Sequence, residues 1–495
     1  MNDSVTPAIR GSNSPDSTPP LDKASVRRII IGVVLTMLLA AIDQTIVAAA
    51  LPTIGNDLND LEHVPWVVTI YLLSGTAVTP LYGKLADIIG RRTTLLTAIF
   101  VFMIGSVLCA LAPTMWLLIF ARFVQGLGGG GLIALALTIV ADIVAPRERL
   151  SYQAYFASVF VTSSIAGPIL GGFFAEHLHW SYIFWINIPL GLIALAMTNG
   201  ILKRLPRYER PHKLDIIGAV LMVVATVAML LALSWGGRVF AWGSPEILGL
   251  ALAAFVAWGL FGVRVATADE PFVPIGAMLD RVVFTGTASN FFVIGTMVGL
   301  SIYLPIYFEA AIGLSASNSG LALIALMGGT VTGAQVAARV IAWTPHYKRG
   351  PIVGMFLCLP AILALTLFVA QLPFWAVEAL LTMVGLGLGT IFPVTTIAVQ
   401  NAVRPHQQGQ VTAAFNFFRS LGSAIIVAVF GAILLGILAV GNQPIGSLEV
   451  LVAEAAARGV EIAPVYSYVF GAAAITLAIG FLCFLFMEER PLVKR

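Results

Sequence analysis

Charge is what this sequence has least of. Asp, Glu, Lys and Arg make up 10% of the 495 residues, against 59% hydrophobic residues and a mean hydropathy of +0.95. A soluble domain needs far more polar residues to cover its surface, so an ordinary water-soluble fold is excluded. Cysteine is almost missing too: Cys109, Cys358 and Cys483 all fall inside apolar runs, which implies packing and no disulfide framework. No H-E-x-x-H, no P-loop and no sizeable soluble segment occurs, which argues against a membrane enzyme or receptor. G-x-G-x-x-G does occur, at 126–131, but an apolar helix surrounds it and no strand precedes it. Those glycines are positions of close helix packing, not a dinucleotide cradle.

What is present is a succession of apolar runs, each about 18 to 25 residues long and able to cross a hydrocarbon core of about 30 Å. Fourteen lie between residues 29 and 486. The positive-inside rule tests that count. With the N-terminus inside, the inside segments hold 23 of the 27 Lys and Arg. A missed or invented span would scramble the alternation, so an even number of spans with both termini cytoplasmic is expected. The net charge of +3 then reflects topology and gives no reason to propose a nucleic-acid partner.

The polar stretches divide the chain. Residues 1–28, rich in Ser, Pro and Asp and without a small-residue cleavage site, read as a disordered cytoplasmic leader. A basic linker, LKRLPRYERPHKLD, and a second polar stretch, RVATADEPFVPIGAMLDR, partition the spans as six, two and six. The expected units are a six-helix bundle over 29–201, two linker helices over 214–264 and a second bundle over 283–487, followed by a cytoplasmic tail at 488–495. The loop 437–464 is the one sizeable extracytoplasmic feature. Two bundles with a substrate site between them near the midplane form a common transporter plan.

Several motifs carry polar chemistry within this apolar background. GKLADIIGRR follows the second span, where Gly83 and Gly90 permit tight turns and close approach and Asp87 with Arg91 and Arg92 can hold neighbouring helices in one conformation. Asp142 in the next inside loop is a partner for Arg91. In the fourth span, LLIFARFVQGLGGGGL places Arg122 and Gln125 on one helical face. An arginine inside a span needs a carboxylate, carbonyls or water. In the fifth, Gly167, Pro168, Gly171 and Gly172 form SSIAGPILGGFF, a bend with room for a neighbour.

The first span, LTMLLAAIDQTIVAAALP, places Asp43 and Gln44 among apolar residues. Counting at 1.5 Å per residue sets Asp43 and Gly167 roughly 12 Å, and Arg122 roughly 10 Å, from the outer face. An acid, a fixed cation and a proline bend therefore share a level. A carboxylate protonated in one conformation and ionised in another gives a carrier a proton site. Permanent pairing with Arg122 as a structural clamp is the alternative. Glu309, closing the ninth span where the helix dipole disfavours negative charge, is a second candidate acid for protons or cargo, with Glu378 ranked below it; simple solvation is the bland reading of both. Arg419 lies roughly 12 Å from the inner face. Trp66, Tyr71, Tyr303, Tyr307, Phe415 and Phe418 are candidate cavity aromatics, with Gln44 and Gln125 as polar cargo contacts.

AIDQTIVAAALP, GKLADIIGRR, RFVQGLGGGG and AGPILGG resemble signatures of the major facilitator superfamily, specifically its fourteen-helix drug/proton antiporters. WSYIFWINIPLGL, GLGLGTIFPVTTIAVQNAV and FNFFRSLGSAIIVAVFGAIL extend the likeness to the thirteenth span. The resemblance implies an all-α membrane protein that exports hydrophobic, cationic drugs in exchange for protons by alternating access, from the cytoplasmic (inner) membrane. It implies no metal and no cofactor beyond the proton gradient. Its partners would be small-molecule cargo and lipid, with the protein a monomer and a periplasmic adaptor where the host has two membranes. A dedicated exporter of one metabolite, peptide, siderophore or lipid is the alternative. Two departures stand out: the loop after the tenth span, VAARVIAWTPHYKR, has no acid, and Glu309 stands where related sequences often carry a neutral residue.

Overall fold

Inside a bilayer no water satisfies the backbone, so each apolar run closes its N–H and C=O groups on itself as a helix. The computed structural model describes residues 23–60, 63–144, 146–201, 215–237, 239–268, 275–343, 346–404, 407–438 and 458–491, together with 452 and 455. The leader before residue 23, the linker 202–214, most of the loop 437–464 and the last four residues lie outside them.

The first half comprises α1 (Lys23–Asp57), α2 (Val64–Ile88), α3 (Arg91–Ala110), α4 (Met115–Ile143), α5 (Pro146–His177), the short α6 (Tyr182–Trp185) and α7 (Asn187–Ile201). Then come α8 (Ile216–Trp235), α9 (Pro245–Thr267) and the single turn α10 (Ile275–Met278). The chain continues with α11 (Arg281–Ala310), α12 (Ala316–Trp343), α13 (Arg349–Phe368), α14 (Phe374–Asn401), α15 (Gln408–Leu438) and α16 (Ile462–Phe486). Twelve of these segments, among the described residues, are long and apolar enough to cross a membrane; α2 and α5 coincide with the two remaining expected spans.

Side chains at the helix starts answer the orphan N–H groups there. Thr114 accepts from Leu117 N, Asp215 from Gly218 N, Ser244 from Ile247 N and Asp280 from Val282 N. Gly90, at φ +89°, makes the turn between α2 and α3, a conformation costly for any residue with a Cβ.

The main buried apolar clusters are drawn from residues 29–194 on one side and 282–487 on the other. A smaller cluster joins Leu73 of α2 and Leu230 of α8 to Phe417 and Leu421 of α15. The α8–α9 hairpin thus packs against both halves, with Trp258 of α9 against Phe417. Between halves, α2 packs on α15 and α5 on α12.

Glycine sets how closely α2, α3 and α4 approach. A Cβ at Gly128 would enter the α3 backbone at Phe102, and one at Gly130 would enter the α2 backbone at Gly75. Gly130→Val should therefore overpack this seam at a cost of about 1–3 kcal/mol. A lowered thermal midpoint of the detergent-purified protein would register it; an unchanged midpoint would mean the seam yields freely.

Candidate functional site

Four helices bring their few polar residues to one point in the first half. Asp43 of α1, Ser106 of α3, Arg122 and Gln125 of α4 and Asn187 at the start of α7 are all 0–1% exposed. Arg122 Nη1 donates to Asp43 Oδ2 at 2.7 Å, while Gln125 Nε2 and Asn187 Nδ2 donate to Asp43 Oδ1 at 2.8 and 2.9 Å. The guanidinium also reaches Gln125 Oε1 (2.6 Å) and the Val67 carbonyl on α2 (3.0 Å), and it lies 4.2 Å from the centre of the Tyr71 ring. Ser106 Oγ accepts from Gln125 (2.8 Å) and Asn187 (3.2 Å), closing the network. A buried charge is tolerable only when paired and hydrogen-bonded, and here both conditions are met.

Close packing holds α1 in place. A Cβ at Gly167 would overlap the Thr45 side chain, and one at Gly171 the Ile46 carbonyl, so α5 presses directly on the segment that carries Asp43. Thr45 Oγ1 donates to the Ser163 carbonyl at 2.8 Å. Gly172 meets nothing within 4 Å. Helix α5 runs on through Pro168, whose side chain lies outside the described residues.

A second network lies at the basic end. Arg91 pairs with Asp87 Oδ1 through Nη1 and with Asp142 Oδ2 through Nε, the latter at 3.0 Å. Asp87 Oδ2 accepts from the backbone N–H of Gln410 at 3.2 Å, which joins α2 to the first turn of α15. A Cβ at Gly83 would overlap Ala413, so only glycine permits this approach. Arg149 is 1% exposed; it donates to the Val144 carbonyl (2.7 Å) and the Ala141 carbonyl, and reaches Gln400 Oε1 of α14 at 3.4 Å. Arg92 Nε binds the Asn199 carbonyl at 3.0 Å. Contacts between the halves, among them Asp87 to Gln410, Arg149 to Gln400 and Gln400 to the Leu137 carbonyl, therefore tie this end shut.

The other sequence-derived candidates do not gather in one cavity. Glu309 lies one residue from the end of α11, exposed, and accepts from Ser319 Oγ at 2.8 Å. Glu378 is half-buried on α14, with Oε1 buried and unpartnered. Tyr303 donates to the Val427 carbonyl (2.9 Å), Tyr307 packs on Tyr466 with ring centres 5.0 Å apart, and Phe415 is buried with Val283 and Val399. Tyr71 serves Arg122, Trp66 meets Trp235 of α8 edge-on, and Phe418 packs beside Phe417. Gln44 is exposed beside Asp43. Sequence reasoning missed Ser106 and Asn187. The signal for Asn187 was an amide inside the apolar run WSYIFWINIPLGL, where the chain breaks between α6 and α7.

Comparison with known proteins agrees with this architecture. The profile of the Major Facilitator Superfamily matches residues 33–427. The chain is 32% identical to the multidrug transporter protein MdtP of Bacillus subtilis over 414 residues, 83% of this chain and 76% of that one. It is 35% identical to an MFS-type transporter of Mycobacterium tuberculosis over 439 residues, 87% of this chain and 64% of the relative's length. Among solved structures, the human organic anion transporter MFSD10 superposes with a TM-score of 0.61 over 94% of this chain and 99% of that one, at 17% identity, a likeness of fold alone. A profile match across most of the chain and relatives above 30% identity settle its family: this all-helical chain belongs to the Major Facilitator Superfamily and is a multi-pass membrane transporter of small molecules, not an enzyme.

Proposed function

We propose that the protein is a proton-coupled antiporter exporting hydrophobic small molecules across the cytoplasmic membrane by alternating access. The observation that carries the coupling is the buried Asp43–Arg122 pair, an acid and a fixed cation 2.7 Å apart among apolar helices. A proton taken up by Asp43 removes Arg122's only charged partner in the network and loosens the tie between α1 and α4; its release rebuilds that tie. The exchange needs no cofactor, only the proton gradient.

The names of the relatives, a multidrug transporter and the multidrug resistance protein 3 of Bacillus subtilis, support efflux of drug-like cargo. The separate apolar clusters of the two halves support a division into six-helix units, with α8 and α9 as a linker hairpin between them. The basic end, closed by Asp87 and Arg149, would face the cytoplasm together with both termini, and the protein would act as a monomer in lipid.

The test is an imposed proton gradient across proteoliposomes, read with a trapped pH dye while lipophilic cations and neutral dyes are added. Cargo should speed the decay of the gradient relative to protein-free vesicles. A decay rate indifferent to every cargo would remove the coupling.

A further inference from the structure

Arg419 has no role in either network. It sits in the middle of α15, half-buried, with its guanidinium 5.4 Å from the centre of the Phe392 ring on α14, and no carboxylate among the described residues pairs with it. Arginine does not shed its charge to escape such a place, so a cation held there needs an acceptor.

Two asparagines add polar atoms without partners, although Asn416 Nδ2 donates to the Thr412 carbonyl at 2.8 Å. Asn290 of α11 is 0% exposed with both amide atoms unpartnered; Asn416 of α15 is 2% exposed with Oδ1 unpartnered. The small cluster of Val283, Val399, Val411 and Phe415 fixes where these residues lie. Asn290 is two turns along α11 from Val283, Arg419 one turn along α15 from Phe415, and Phe392 two turns back along α14 from Val399. The ends are aligned: Arg490 reaches Asp280 while Asn401 reaches the Pro491 carbonyl, so α14 runs opposite to α11. All three rows therefore climb the same wedge, to a level about 6–10 Å above the cluster. Asn416, three residues before Arg419, shares its helix face. A buried amide without partners is costly, so a wedge that sets Asn290, with a free donor, beside an unneutralised arginine is built to receive an acceptor.

From this juxtaposition we infer that the wedge between α11, α14 and α15 binds the carboxylate of amphipathic cargo, with Arg419 as the charge and orientation anchor, Asn290 as a further donor and Phe392 against the apolar body. A planar carboxylate meets a guanidinium through two parallel hydrogen bonds, a fit no neutral or cationic head group has. The cargo class is therefore widened to organic acids. This rests on the efflux reading and deepens it.

The test uses three fluorescent probes with one ring system, 1-pyrenebutyrate, its neutral amide and 1-pyrenebutylamine, exported from phosphatidylcholine proteoliposomes. Wild type should export the acid, and Arg419→Gln should lower the ratio of acid to amide flux by about tenfold or more, the loss of a charged hydrogen-bonded pair. Arg419→Lys, which keeps the charge but not the fork, should fall between them and keeps the question open to measurement where the glutamine variant does not insert. Asn290→Ala should lower the same ratio less. Equal loss of all three probes in both arginine variants would make Arg419 a structural residue and overturn the inference. So would an Arg419 effect confined to vesicles containing phosphatidylglycerol, which would assign the cation to lipid. Wild-type export of amide and amine without the acid would overturn the inference and leave efflux standing, whereas no export of any probe would take down both.

Discussion

Proton-driven accumulation of cargo in proteoliposomes should fall to the level of protein-free vesicles when Asp43 is replaced by Asn. The amide has the carboxylate's shape and cannot titrate. Its single oxygen also cannot replace two acceptors: Asp43 takes Arg122 on Oδ2 and both Gln125 and Asn187 on Oδ1, so at least one donor loses its partner. Breaking a buried ion pair from one side costs about 3–5 kcal/mol, so the variant should also unfold at lower temperature. A structural clamp would produce both effects. Removing both charges separates the readings. Asp43→Asn combined with Arg122→Gln leaves no orphan charge, and the amides can bond to each other, so thermal stability should return toward wild type while proton flux stays absent. A stable double variant that still moved protons with cargo would reduce the pair to a clamp.

How much of this was legible depends on contrast. Asp43, Arg122 and Gln125 stand out because an ionisable group in an apolar run has few explanations, and counting residues put the acid and the arginine at nearly one depth. Ser106 and Asn187 were not legible, because serine and asparagine can satisfy themselves locally in a helix and only packing reveals that they converge on Asp43. The direction of the aromatics was hidden for a related reason. Lipid and bundle interior are equally apolar, so periodicity does not say which way Tyr303, Tyr307 or Phe415 points, and all three turn into the second half's own core. Glu309 lies where the sequence put it, one residue from the end of α11, and it is exposed. Arg149 had no expected role, yet α5 begins before it and buries it against carbonyls and Gln400. GKLADIIGRR fared better, because its glycines and charges act over a few residues, within the range where sequence determines geometry.

That loop supports the second large expected effect. Asp87 is the hinge of the basic end: Oδ1 pairs with Arg91, which continues to Asp142 on α4, and Oδ2 receives the Gln410 N–H in the opening turn of α15. A carboxylate there is favoured by the unpaired N–H groups and the positive end of the helix dipole. Asp87→Asn keeps the shape and removes the charge, forfeiting a charge-assisted bond of about 1.5–3 kcal/mol, which amounts to about a tenfold or greater loss in the population closed at this end. Thr412 is 1% exposed just inside the seam, beside Gln400. A cysteine placed there should react with a membrane-impermeant maleimide about tenfold faster in the Asp87→Asn background, with transport lowered in parallel. Arg149→Gln should act in the same direction by weakening the contact to Gln400, and the pair of substitutions should exceed either alone, because the two ties connect different helices. Labelling as slow as in the parent, with transport intact, would show that apolar packing of α2 on α15 closes this end without Asp87.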